Sequence, residues 1–202
     1  MNKPLSRMDI IARNGNDGLH YLEKTMGLLS ATELLQLVER GIIEGVQEGC
    51  INAASIDLHL GDKFLFEAEP KTYQRLINLA KREKPVMITR RNDMPIPPGA
   101  FCLASTKEIF HLPNDISGMF ILKSSMARAG LEHSQAGWAD AGWHGSALTL
   151  ELSNLLQHHT LRIETGMAIG QIILFRHTPV PTEFSYATKG RYNGDRDISE
   201  IK

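Results

Sequence analysis

Cysteine is scarce, with only Cys50 and Cys102 in 202 residues. Two thiols cannot build a disulfide framework or a zinc site of three or four thiolates, and they fit a reducing cytosol. Neither sign of charge dominates. The 22 basic side chains balance 23 acidic ones, so no global field is available to hold nucleic acid. No apolar run approaches the ~18 residues of a membrane span, and residues 1–18 lack the apolar core of a secretory signal. No membrane partner is therefore expected, and the expected location is the cytoplasm. Several catalytic signatures are missing as well. The sequence has no G-x-x-x-x-G-K-[ST] phosphate loop, no G-x-G-x-x-G, and no G-x-S-x-G elbow. No histidine is followed two positions later by Glu and no C-x-x-C occurs, which removes the zinc set of the metal-dependent nucleobase deaminases. What remains is 42% hydrophobic and 22% charged, an ordinary globular composition long enough for one domain with an attachment.

The attachment is expected at residues 1–27, where Asn14-Gly15-Asn16-Asp17-Gly18 clusters turn formers. At Ser30 the pattern becomes helical. Ser30 and Glu33 form a capping box, Leu34, Leu35 and Val38 recur at helical spacing, and Gly41 closes the helix. Period two follows, with Ile56, Leu58 and Leu60 alternating with Ser55, Asp57 and His59. Short strands are then expected at Phe64–Phe66, Phe101–Ala104, Met119–Leu122, Leu148–Leu152, Leu161–Ile163 and Ile169–Phe175. Turn signals such as Pro97-Pro98-Gly99 and Glu164-Thr165-Gly166 separate them. Lys71–Lys84 reads as a second helix or a long loop, and the chain turns polar beyond Pro181. The adjacent pair His158-His159 reads as surface. The result is a mostly β fold, a barrel or sandwich with few helices.

The chemistry concentrates between Lys123 and Asn154. Lys123, Ser124, Ser125 and Arg128 follow a strand end, bringing hydroxyls, N–H groups and cations together as a phosphate would require. The same residues could equally be a capped turn. Asp140 stands in an Ala-Asp-Ala-Gly turn context. Further on, Leu148, Leu150 and Leu152 point to one face of a strand, and Thr149, Glu151 and Ser153 to the other. Glu151 is then either a carboxylate on a solvated strand face or a general base at a partly dry site.

Lys-Ser-Ser-Met-Ala-Arg (123–128), Ala-Gly-Trp-Ala-Asp-Ala-Gly-Trp-His-Gly (136–145) and Leu-Thr-Leu-Glu-Leu-Ser-Asn (148–154) resemble the dCTP deaminase family of the dUTPase-like superfamily. Ala54–Gly61, Pro98–Phe101 with Leu103–Thr106, and Gly166–Gln171 match in order, so the resemblance runs from residue 28 to about 194. It implies a distorted, jelly-roll-like β-barrel spanning residues 28–180, with 181–202 as a C-terminal lid. It also implies a homotrimer with active sites between subunits, acting on dCTP that carries Mg²⁺ on its triphosphate. No protein-held metal is implied. The products would be dUTP and ammonia. Glu151 would be the general base activating water for attack on C4 of cytosine. Ser124 would orient base and water, and Arg128 would stabilise the reacting group or the adjacent phosphates. Lys123, where the family usually has Arg, and Ser125 would face phosphate. Ala136 would contact the catalytic water, and Arg191 and Tyr192 would match the Lys-Tyr pair of the lid.

Three departures qualify the resemblance. The spacing from Asp140 to Glu151 is one residue longer, at Ser146-Ala147, and a β-bulge there would keep Glu151 on its face. Ala136-Gly137-Trp138 resembles the Ala-Gly-aromatic form of bifunctional members, which also cleave the triphosphate to dUMP and pyrophosphate. In that reading Asp140 assists water at the α-phosphorus. Asp195 stands about where a Gln usually contacts the base. The bifunctional enzyme, a dUTPase-like pyrophosphatase and a non-catalytic nucleotide binder are therefore alternatives to the simple deaminase.

Overall fold

A computed structural model describes residues 26–69 and 76–202. Strand β1 (Gly27–Leu28) leads into helix α1 (Ala31–Glu39), then β2 (Ile43–Glu44) and the long β3 (Ile56–Glu67). Strands β4 (Met87–Arg91), β5 (Asp93–Ile96), β6 (Phe101–His111) and β7 (Ile116–Leu122) precede the short helix α2 (Ser124–Arg128). After it come β8 (Leu131–His133), β9 (Trp138–Ala139), β10 (His144–Asn154), β11 (Leu161–Glu164), β12 (Ala168–Arg176) and helix α3 (Tyr186–Lys189).

Ten strands join one curled antiparallel sheet in the order β8-β10-β6-β3-β12-β7-β9, with β1 on β12, β2 on β6 and β4 on β3. Strands β11 and β5 pair separately. The curl comes from β3. Its first residues, Ile56–His59, pair with β12, and from Leu60 onward it pairs with β6. The register shift between Leu60 and Phe64 absorbs the bend. The two strands expected at Ile56–Leu60 and Phe64–Phe66 are therefore one, because Gly61 lets the backbone pass close over Ser105.

Apolar side chains from both halves of the curl fill its interior. Ile56, Leu58, Leu60, Phe64, Phe110, Leu150, Leu152, Ile172 and Leu174 are all fully buried. Phe110 stacks on Trp143 at 5.3 Å between ring centroids. Each buried Leu or Ile contributes roughly 1.5–3 kcal/mol of transfer free energy, so these layers fix the barrel. Helix α1 closes one side. The capping box is present, with the Ser30 N–H donating to Glu33 Oε2 at 3.0 Å, and Gly41 follows the helix at φ +72. Leu34 and Leu37 turn inward, whereas Leu35 is only half-buried.

The boundaries differ from the sequence reading in places. Residues 1–25 of the expected N-terminal arm lie outside the described residues, but Gly27 already belongs to the sheet, opposite Arg176. Residues 70–75 of the expected helix or loop also lie outside them. The rest of that segment has one 3-10 turn, Leu79–Lys81. His158 and His159 are exposed in a bend between β10 and β11 rather than on a strand. The polar tail is docked on the barrel. The Trp143 indole N–H donates to the Tyr192 carbonyl at 3.0 Å, and the Ala147 N–H to the Asp195 carbonyl at 2.8 Å.

Candidate active site

Strand β10 carries the central carboxylate. It is irregular at Gly145, where φ is +67 and the register to β6 shifts between His144 and Ser146. A second shift lies between Ala147 and Thr149. Leu148, Leu150 and Leu152 consequently stay buried, while Thr149, Glu151 and Ser153 stay half-exposed on the opposite face. Glu151 pairs with Leu103 of β6, and its carbonyl accepts the Ser134 N–H at 3.1 Å.

Glu151 lines a cavity of about 530 Å³. One wall is β10 from Ala147 to Glu151 with Phe101 and Leu103 of β6. A second is Ala136, Trp138, Ala139, Asp140 and Trp143, and a third is the tail with Tyr186, Tyr192, Asp195, Ser199, Glu200 and Ile201. Leu79, Glu83, Pro85 and Met87 close the remaining side. The second wall depends on Gly137. A Cβ there would lie 2.7 Å from the Phe120 carbonyl oxygen, so only glycine lets this turn approach β7 and set Ala136 and Trp138 at the cavity. The Trp138 indole N–H donates to Asp140 Oδ1 at 2.9 Å, which orients that carboxylate.

The cavity is acidic. Glu83, Asp140, Glu151, Asp195 and Glu200 line it, and no Lys, Arg or His does so among the described residues. Asp195 is neutralised by Lys202. Burial pushes its carboxyl up, but the Lys202 ammonium and the Ser199 hydroxyl outweigh that and hold it below the ordinary value of 3.8. Burial is also the main cause that raises the Tyr186 phenol, keeping it a proton donor. Behind Glu151, His133 Nε2 lies 3.3 Å from Glu151 Oε2, near enough for attraction but too poorly aligned to count as a hydrogen bond.

Five of the residues expected at the site therefore meet at one cavity: Glu151, Asp140, Ala136, Trp138 and Tyr192. The others lie elsewhere. Ser124, Ser125 and Arg128 are exposed on α2, and Lys123 is tied to Asp57 in an ion pair. Arg191 is exposed, with its guanidinium 3.4 Å from the Lys202 carbonyl. The sequence reading missed His133, Thr149, Tyr186 and the Ser199–Ile201 wall. Only Thr149 carried a usable signal, two residues from Glu151 on the same strand face. Among the described residues, no group of three or more His, Cys, Asp or Glu side chains is placed to hold a metal ion. No helix among them is long and apolar enough to cross a membrane.

The sequence model of the dCTP deaminase-like family matches residues 28–177. The chain belongs to this family. It is 32% identical over 173 residues to the "dCTP deaminase, dUMP-forming" of Methanosphaerula palustris, covering 83% of this chain and 90% of that one. It is 37% identical over 164 residues to the protein of the same name from Acidothermus cellulolyticus, covering 78% and 84%. Its fold matches the 2'-deoxycytidine 5'-triphosphate deaminase of Agrobacterium tumefaciens with a TM-score of 0.60 at 20% identity. That match covers 76% of this chain and 49% of the other, so this family member spans about half the length of that solved structure.

Proposed function

We propose that this protein deaminates dCTP and carries the nucleotide on to dUMP and pyrophosphate. Glu151 is the observation that carries the reading: a half-buried carboxylate residue lining a cavity that Asp140 also lines, in a chain of the dCTP deaminase-like family. The simple dUTP-releasing reaction stood first in the sequence reading. The dUMP-forming relatives favour the second product set, as does the Ala136-Gly137-Trp138 turn.

In the first step Glu151 takes a proton from water and the oxygen attacks C4 of cytosine. As the C4–N3 double bond gives its electron pair to N3, the carboxyl hands that proton to N3, then moves the C4 hydroxyl proton to the 4-amino group. The bond from C4 to that amine breaks, and ammonia leaves a C4 carbonyl. Such acid–base assistance is worth on the order of 10² to 10⁴ in rate. In the second step Asp140, held by the Trp138 indole, orients water toward the α-phosphorus and pyrophosphate departs. One dCTP and two waters thus give dUMP, pyrophosphate and ammonia. Mg²⁺ enters on the triphosphate, as part of the substrate.

An acidic cavity repels a triphosphate, so the cations must come from outside it. Ser124, Ser125 and Arg128 are exposed on α2, Lys123 precedes it half-buried against Asp57, and none of the four lines the cavity. We place them in the site of a neighbouring copy, within a homotrimer, where Ser124 orients water, Arg128 stabilises the reacting group, and Lys123 and Ser125 meet phosphate. Trp138 and Met119 support this arrangement, being cross-strand partners that are 56% and 45% exposed. Ala136 borders the catalytic water, while Tyr192 and Arg191 close the tail over the nucleotide.

The test is incubation with dCTP and Mg²⁺, with all products resolved by chromatography and ammonia assayed in parallel. Ammonia, dUMP and pyrophosphate in equal amounts are expected. Accumulating dUTP would restore the simple deaminase, and no ammonia would sink the reading.

A further inference from the structure

Two buried histidines sit beside carboxylates, one buried (Glu108) and one half-buried (Glu151), and the two pairs differ. His59 and Glu108 satisfy one another, since Glu108 accepts the His59 backbone N–H at 3.0 Å and lies 2.9 Å from its Nδ1. That pair faces no cavity lined by Glu151 and is complete. His133 and Glu151 are not. Among the described residues, three buried side-chain polar atoms lack a hydrogen-bond partner, and two of them are His133 Nε2 and Glu151 Oε2. The third, Arg176 Nε, belongs to a guanidinium that already binds Glu33 through Nη1 at 2.7 Å.

Unsatisfied buried polar atoms are rare because each forfeits its hydration. Two of them 3.3 Å apart, one on a residue that lines the cavity, point to a contact completed in another state of the site. Hydrogen bonds of this kind are often long in the free protein and tighten with substrate bound. His133 cannot reach substrate itself, being only 5% exposed. Its ring is fixed by Phe120, which meets it edge-on at 4.8 Å, and Phe120 in turn lies over Gly170.

We propose that His133 is a positioning residue for Glu151. Its Nε2–H donates to Oε2 when nucleotide fills the cavity, holding the carboxylate so that Oε1 faces the water at C4. This assignment rests on the deaminase reading above.

The test compares the wild type with His133→Phe, which keeps a ring against Phe120 but removes the donor, and His133→Gln, which restores an N–H. His133→Phe should lose about 10²-fold in kcat with KM for dCTP little changed, the cost of a misplaced reacting group. His133→Gln should recover most of that loss. Equal activity of His133→Phe and wild type, a change in KM alone, or no recovery by His133→Gln would overturn the proposal. Should His133→Phe fail to fold, the histidine ¹⁵N spectrum of the wild type with dUMP decides. An Nε2–H tautomer at His133 supports the donor role, and an Nδ1–H tautomer with bare Nε2 overturns it. A wild type that releases no ammonia from dCTP refutes the deaminase reading, and the tautomer still tests the contact by itself.

Discussion

The cavity at Glu151 and the segment at Lys123–Arg128 divide the charges between them. The cavity holds Glu83, Asp140, Glu151, Asp195 and Glu200 behind apolar walls, whereas α2 is an exposed turn ending in Arg128. A triphosphate suits the second and a neutral pyrimidine with its water suits the first. Within one chain the two surfaces do not share a pocket, and the proposed assembly completes the site by setting the cavity of one copy against α2 of another.

The largest effect should come from emptying the cavity of its base. Glu151→Gln keeps the shape of the pocket and should bind dCTP, yet lose on the order of 10² to 10⁴ in turnover by ammonia assay. Retained deamination would remove Glu151 from the mechanism and leave the contrast without chemical content.

Asp140→Asn should sharpen the comparison, because it separates two reactions in one cavity. Ammonia release should continue while pyrophosphate release falls at least about tenfold and dUTP accumulates, read by chromatography. Equal loss of both activities would mean that Asp140 holds the cavity together rather than serving the second step.

Gly137→Ala should damage the cavity and spare α2. The added Cβ would meet the Phe120 carbonyl oxygen at 2.7 Å, a backbone contact that cannot rotate away. A loss of about 1–3 kcal/mol in a denaturant titration is expected, together with weaker nucleotide binding. An unchanged midpoint would show that β9 can move away from β7.

The smallest effect concerns the tail. The Asp195 carboxyl titrates below its ordinary 3.8, so the Asp195–Lys202 tie contributes fully above that pH and is lost as pH falls through the lower, folded value. Partly exposed pairs of this kind are worth under about 1 kcal/mol. Trp143 fluorescence, which senses the docked Tyr192 carbonyl, should hold steady from neutral pH down to about 4 and change below it in wild type. A change already complete at pH 5 would exclude Asp195 as its cause.

The sequence made local features legible and left those formed by folding hidden. The Ser30–Glu33 box, the alternation around Glu151 and the Ala136–Asp140 turn each lie within a few residues, where spacing alone fixes the geometry. The merger of β3 depends on Ser105 accommodating Gly61, a contact across 44 positions that no local pattern records. His133 meets Glu151 only because β8 pairs with β10, which puts Leu152 opposite His133. The tail reads as polar and unattached, yet its backbone groups find partners on β10 and Trp143. Backbone hydrogen bonds leave no trace in side-chain composition.

Subunit complementation tests the central claim most directly. Glu151→Gln and Arg128→Ala should each be inactive alone. After the two are mixed, dissociated and reassembled in equal amounts, random mixing should restore about a quarter of the wild-type sites. Ammonia release at that level would establish that one copy's cavity works with another copy's cationic segment. Hybrid assemblies that form and remain as inactive as their parents would place both residues in a single chain's site and contradict the account.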